Sequence, residues 1–205
     1  MKLKNIVVDG RSIYPSKVVC IGRNYVDHIK ELNNEMPEQM VIFVKPNSAL
    51  CNEIESAKDA ELHYEGEISF VISAGKISAV GFGLDLTKRE LQSTLKKAGL
   101  PWERAKGFDN SAVFSDFVSF DGRLEDLSLQ LFINNSLIQE ANFDLMIYKP
   151  QQILAEVSSF MSIADGDIVM TGTPKGVGPL FRDDQFTGRI YDGEQLIIEK
   201  QWRVL

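Results

Sequence analysis

The chain sets two glutamates two residues apart in Leu62-His63-Tyr64-Glu65-Gly66-Glu67-Ile68-Ser69-Phe70. This run reads as a β-strand, on which alternate side chains point to one face. His63, Glu65 and Glu67 then share that face. Adjacent carboxylates repel and are costly to bury unless a cation or an arginine compensates them. A hard divalent cation such as Mg²⁺ or Ca²⁺ suits such a set of oxygen donors. A solvated strand face is the other reading of the same pattern.

Asp85 closes the apolar run Ala79–Leu84. It would supply a third oxygen donor, although an aspartate just before a helix is also a common turn residue. Arg89 and Gln92 are three apart on the helix that follows, so they share a face. That face either points back to the carboxylates or is plain helix surface. His28 and Glu31 are also three apart. On a helical turn the carboxylate can fix the imidazole tautomer and make His28 a general base. A surface ion pair is the alternative. His28 and His63 are the only two histidines. His63 first suggests a further ligand beside the glutamates. Were Asp85 the third ligand, His63 would be left as a hydrogen-bonding neighbour. Lys106 follows a Pro-Trp loop and, taken alone, reads as surface. Thr171-Gly172-Thr173-Pro174-Lys175-Gly176-Val177-Gly178-Pro179 makes a tight loop after an apolar strand. Such a loop can bring backbone N–H groups and the Thr173 hydroxyl against an anion. It lacks the order of a phosphate-binding P-loop.

The elements that must position these residues are mostly strands. Lys17–Ile21 and Val41–Lys45 are short apolar runs bounded by Gly, Pro and Asn, as buried strands are. Glu67–Ser73, Asp167–Thr171 and Leu196–Glu199 add more. Leu127, Leu129, Leu131 and Ile133 alternate with polar residues and lead into Asn134-Asn135, a hairpin turn signal. Asp192-Gly193 is a second turn dipeptide. Thr87 to Glu90 fits a capping box, with a helix running to about Ala98 and stopping at Gly99. A second helix follows Pro150, with Ile153, Val157, Phe160 and Met161 as its apolar stripe. A third, shorter one covers Tyr25–Leu32. The fold class is mixed and mostly β with a few helices. Strands and helices do not alternate as βαβ units. The stretch 52–60 carries no clear signal.

The 205 residues fit one domain, 1–205, with a short N-terminal segment over 1–16. A hydrophobic share of 44% and a charged share of 25% are ordinary for a globular protein. A net charge of −7 argues against nucleic acid as partner, since no basic excess meets phosphates. No run of 18 apolar residues spans a membrane, and the N-terminus lacks a signal-peptide apolar region. The cytoplasm is the expected compartment. Cys20 and Cys51 do not make a disulfide framework and read as buried free thiols.

Six segments in this order resemble the fumarylacetoacetate hydrolase family, closest to its small bacterial acylpyruvate-hydrolase and isomerase-like branch. They are Gly22-Arg23-Asn24-Tyr25 with His28 and Glu31; Phe43-Val44-Lys45-Pro46; and His63-Tyr64-Glu65-Gly66-Glu67. The others are Leu84-Asp85-Leu86-Thr87-Lys88-Arg89; Gly99-Leu100-Pro101-Trp102 with Ala105-Lys106; and Thr171 to Pro179. Each is weak alone, but the ordered set is specific and runs from about Lys17 to the C-terminus.

The resemblance implies a rolled, barrel-like β-sheet fold, usually assembled as a homodimer. It implies Mg²⁺ (or Mn²⁺) on Glu65, Glu67 and Asp85, a water-activating His28–Glu31 dyad, and Lys106 as an electrostatic helper. Arg23, Tyr25, Lys45, Arg89, Gln92 and Thr173 fall where family members contact substrate. The implied substrates are small 1,3-dicarbonyl 2-oxo acids processed through a metal-bound enolate. Hydrolysis of a C–C bond in acylpyruvates or fumarylpyruvate comes first, because the retained dyad suits water activation. Oxaloacetate keto–enol tautomerisation comes next, then oxaloacetate decarboxylation. A non-catalytic metal- or ligand-binding scaffold is the reading from another class. One departure is plain: only 17 residues separate Glu67 from Asp85, where family members carry a further short helix. The run Ser73–Ala79 is the junction, and a strand-to-strand connection this short is feasible.

Overall fold

The computed structural model describes residues 3–32, 35–57 and 60–205. Residues 58 and 59 of the ambiguous stretch 52–60 lie outside that set. The chain folds as mostly β structure with four α-helices among the described residues: α1 (Val26–Glu31), α2 (Arg89–Lys97), α3 (Glu103–Lys106) and α4 (Pro150–Phe160).

A curled, mixed eight-stranded sheet forms the centre. Its order is Val41–Pro46, Lys17–Gly22, Ile168–Met170, Gly66–Ser73, Lys76–Asp85, Ala112–Phe114 and Leu50–Cys51, with Val118–Ser119 also on Lys76–Asp85. Two pairings are parallel, Ile168–Met170 on Lys17–Gly22 and Ala112–Phe114 on Leu50–Cys51. A four-stranded antiparallel sheet packs against this one, in the order Ser136–Asn142, Leu127–Ile133, Gln185–Asp192, Gln195–Arg203.

Both faces of the large sheet are covered, which is why its strands read as continuous apolar runs. Val19 and Ile21 enter the core shared with Ile68, Phe82, Leu129, Leu131 and Phe186. The alternate residues Val18 and Cys20 join Val71, Phe114, Phe117 and Met170 on the other face. Gly188 lets the two sheets approach. A Cβ there would stand 2.6 Å from the Phe82 ring.

Several local expectations change. Thr87 caps no helix. It lies in a short strand, Thr87–Lys88, and α2 starts at Arg89 without a side-chain cap. Gly99, at φ +63°, ends the helical segment as its lack of a Cβ allows. In α4, Ile153 and Val157 are buried, but Phe160 is 60% exposed and falls off the apolar stripe. Cys20 is buried, whereas Cys51 is only partly so; both are free. The Asn134-Asn135 turn holds, with both residues at positive φ (51° and 66°). The last hairpin closes one residue later than Asp192-Gly193 suggests, because Asp192 pairs with Gln195.

The connection between Glu67 and Asp85 is a direct hairpin. Ser73 pairs with Lys76 around Ala74-Gly75, both at positive φ (48° and 71°), as a tight turn between twisted strands requires. This register matters for chemistry. Gly66 pairs with Leu84 and Glu67 with Gly83. Asp85 N–H then donates to the Glu65 carbonyl at 2.9 Å. Asp85 therefore sits across from Glu65 and diagonally from Glu67, within side-chain reach of both.

Candidate metal and active site

The expected continuous strand over residues 62–70 breaks at Glu65. Leu62–Tyr64 pairs with Thr87–Lys88 and Gly178–Pro179, while Gly66–Ser73 belongs to the large sheet. The break separates His63 from the glutamates. Its Nε2 lies 3.0 Å from Glu61 Oε1, away from the carboxylate cluster. Glu65, Glu67 and Asp85 do converge. Each is buried, and one oxygen of each lies within 4.8 Å of the other two.

Two lysines and an arginine hold these charges. The Lys106 ammonium donates to Glu65 Oε2 (2.8 Å), Asp85 Oδ2 (2.6 Å) and Thr87 Oγ1 (2.6 Å), which accounts for its three protons. Lys106 sits at the end of α3, which the Pro101-Trp102 loop delivers to the site. Arg89 Nη2 donates to Glu65 Oε1 at 2.5 Å, and Nη1 to Gln92 Oε1 at 2.8 Å. Gln92 is buried, so the surface alternative for it fails. Thr87 was missed as a site residue because Thr before Glu90 imitates a helix cap.

Lys45 is completely buried behind Asp85, not on the cleft wall. Its Nζ lies 2.8 Å from Asp85 Oδ1. Its protons go to the carbonyls of Leu86, Lys106 and Ser111. A buried ammonium can satisfy itself in this way, but it has no donor left for a substrate. Tyr25 is likewise 2% exposed and inside the core, and burial pushes its hydroxyl pKa up. Neither residue is placed to touch a ligand as the sequence suggested.

The cleft itself is lined by Arg23, His28, Phe43, Glu65, Arg89, Gln92, Lys96, Trp102, Lys106 and Thr173. His28 Nδ1 faces Glu31 Oε2 at 3.3 Å. Glu31 Oε1 in turn accepts from Gly176 N at 2.9 Å. The same glycine loop reaches Glu67, whose Oε2 accepts from Gly172 N at 2.6 Å. Gly172 has φ +97°, and a Cβ there would stand 2.8 Å from Asn24 Cβ and 2.9 Å from the Ile21 carbonyl. The Thr173 hydroxyl donates to Gly66 O and accepts from Gln139 Nε2, both at 2.9 Å. Its one proton is thus committed to the strand break. Gln139, 1% exposed, also accepts from Gly66 N at 2.9 Å and ties the loop to the carboxylates. No spacing rule marks it, because it comes from the other sheet.

The electrostatics are uneven. Burial opposes the Glu65 charge, but Lys106, Arg89 and His28 outweigh it and hold its carboxyl well below the usual range. Glu67 goes the other way: burial, then the charges of Asp85 and Glu65, push it well above that range. Burial would lower Lys106, yet Asp85 and Glu65 keep it raised and charged. For His28, burial outweighs the pull of Glu65 and Glu31, so the imidazole is depressed below its ordinary 6.5.

This donor set fits a hard divalent cation. Three buried carboxylates meet within 4.8 Å, and Asp85 Oδ1, although ion-paired with Lys45 at 2.8 Å, receives no hydrogen bond among the described residues. Glu65, Glu67 and Asp85 could hold the ion, with water and substrate completing its shell.

Residues 17–201 match the family model described as fumarylacetoacetate (FAA) hydrolase C-terminal. The chain is 40% identical over 202 residues to the oxaloacetate tautomerase YcgM of Escherichia coli K12, covering 89% of this chain and 92% of that protein. The solved fold of a putative fumarylacetoacetate isomerase/hydrolase from Oleispira antarctica superposes with a TM-score of 0.95 at 31% identity. That match covers 99% of this chain and 100% of the other. A fumarylpyruvate hydrolase from Pseudomonas aeruginosa, solved with Mn²⁺ and pyruvate, gives 0.90 at 27% identity, covering 100% and 97%. Sequence match and fold agree over nearly the whole length: the chain belongs to the fumarylacetoacetate hydrolase family.

Proposed function

We propose that this protein is a divalent-cation-dependent enzyme that enolises small 2-oxo acids, with keto–enol interconversion of oxaloacetate as its reaction. The carrying observation is the convergence of Glu65, Glu67 and Asp85 beside a cleft that His28 also lines. The relatives named as oxaloacetate tautomerases bring the second of the sequence-level expectations to the front.

A cation on the three carboxylates supplies Lewis acidity that stabilises negative charge on a substrate oxygen. The chain's own groups do the rest. His28 Nδ1–H is fixed on Glu31, which leaves Nε2 as the base. Held neutral by burial, it takes the proton from the carbon next to the oxo group. The electron pair forms the C=C bond, and a proton returns to the oxo oxygen. Arg89 and Gln92 line the cleft side by side, and they are the groups that receive a substrate carboxylate. Lys106 keeps positive charge where the oxyanion develops.

Hydrolytic C–C cleavage is the second reading. The similar fumarylpyruvate hydrolase favours it, and a His28–Glu31 dyad can activate water as readily as it moves a carbon-bound proton. The test compares rates with Mg²⁺ on oxaloacetate in its keto and enol forms, acetylpyruvate and fumarylpyruvate. Interconversion of oxaloacetate should be fastest. Faster cleavage of an acylpyruvate would make the enzyme a hydrolase. Ligand binding without turnover would leave the scaffold reading.

A further inference from the structure

Four cationic side chains, Arg23, Arg89, Lys96 and Lys106, line the cleft against a single carboxylate on its wall, Glu65. Arg89 and Lys106 already contact that carboxylate. Lys106 also contacts Asp85, so Arg89 and Lys106 are matched by Glu65 and Asp85, and Arg23 and Lys96 are the further cations on the wall. A single carboxylate of a 2-oxo acid, received by Arg89 and Gln92, engages only the first part of the α2 stripe, and Lys96 lies one turn further along it.

Lys96 is the informative residue. Arg89, Gln92 and Lys96 are spaced i, i+3, i+7 on α2 and so lie along one stripe of the helix. Gln92 and Lys96 are one turn apart, about 6 Å along the axis, which matches the reach between the two carboxylates of a four-carbon diacid. The next residue, Lys97, is exposed, whereas Lys96 is half-buried. Its ammonium lies 5.9 Å above the Trp102 ring, which holds it on the wall. Burial, then the charges of Arg23 and Arg89, depress its pKa, a cost that a second anionic group on the ligand would relieve. Arg23, which also lines the cleft, holds the left-handed region at φ +57°, strained for a residue with a Cβ.

We infer that Lys96, which lines the same cleft as Arg23, is a specificity residue that binds the distal carboxylate of the substrate and selects dicarboxylic 2-oxo acids over those with uncharged tails. This rests on the proposed function for the identity of the proximal group.

Calorimetry with Mg²⁺ present tests it on two ligands, oxaloacetate and pyruvate, in the wild type, Lys96→Met and Lys96→Arg. Lys96→Met should weaken oxaloacetate roughly tenfold more than pyruvate, as the loss of a charge-assisted hydrogen bond does. Lys96→Arg should recover most of that difference. Equal weakening of both ligands, or none, overturns the inference. The readout needs no turnover. A wild type that binds oxaloacetate more tightly than pyruvate but converts neither refutes the proposed function and leaves Lys96 to be judged by the binding difference. A wild type that binds neither ligand overturns both.

Discussion

The chemistry of this protein rests on how three carboxylates share two ammonium groups and a guanidinium. Glu65 is strongly ionised, Glu67 resists ionisation, and Lys106 spans Glu65 and Asp85. His28, the proposed base, feels the pull of Glu65 and Glu31, but burial decides its direction. His28 is depressed below 6.5, so it is neutral and competent at pH 7. The sign follows from the shift. The folded state binds the His28 proton more weakly than the unfolded chain does. The stability that His28 contributes is therefore present above 6.5 and lost as the pH falls through its depressed value. The rate should follow the same limb, level near neutrality and falling on the acid side of 6.5. His28→Ala should lower kcat roughly 10² to 10⁴-fold, the usual share of general-base catalysis. Calorimetric Mg²⁺ affinity should stay within a few-fold. A large loss of Mg²⁺ affinity would show that His28 holds the carboxylates rather than the proton.

At the scale of the element, the hairpin register and the broken strand decide which residues meet. Thr87 shows what this does to a sequence reading. The residue has the spacing of a helix cap, yet its hydroxyl accepts from Lys106 and donates to the Asp85 carbonyl (3.2 Å). Thr87→Val keeps the volume and removes that acceptor. It should cost about 1–3 kcal/mol, the penalty for a buried donor left without a partner, measured by denaturant unfolding. Hydrogen exchange in the first turn of α2 should not change. Faster exchange there would restore the capping role. The carboxylate trio was legible because strand period and a short connection keep all three close in sequence. The glycine loop was legible because positive φ leaves few choices of residue. Lys96 was not, since a lysine on an amphipathic helix reads as solvated until the facing wall is known. Lys45 was misplaced for a related reason. A motif gives the order of residues, but not whether an ammonium faces the cleft or spends its protons on carbonyls behind it. His63 would share a face with the glutamates only on a continuous strand, and the strand breaks at Glu65.

For the whole molecule, a cation held by the buried trio would make stability depend on its concentration. Two sheets close over a core in which Phe82 and Trp202 (centroids 6.0 Å apart) bridge the layers, and the carboxylates sit at the end of the hairpin that runs through it. A cation that binds only the folded chain adds about 2.7 kcal/mol at a hundred times its Kd. Mg²⁺ or Mn²⁺ should therefore raise the thermal midpoint in a concentration-dependent way, and a chelator should return it. A midpoint indifferent to both would mean that Lys45, Lys106 and Arg89 already satisfy the trio. The measurement closest to the central claim follows the interconversion of keto and enol oxaloacetate by absorbance, for the wild type and Glu67→Gln. With Mg²⁺ the wild type should accelerate it catalytically, and both chelation and Glu67→Gln should remove most of that acceleration. A wild-type rate no faster than buffer, or one that survives chelation and the substitution unchanged, would contradict the account.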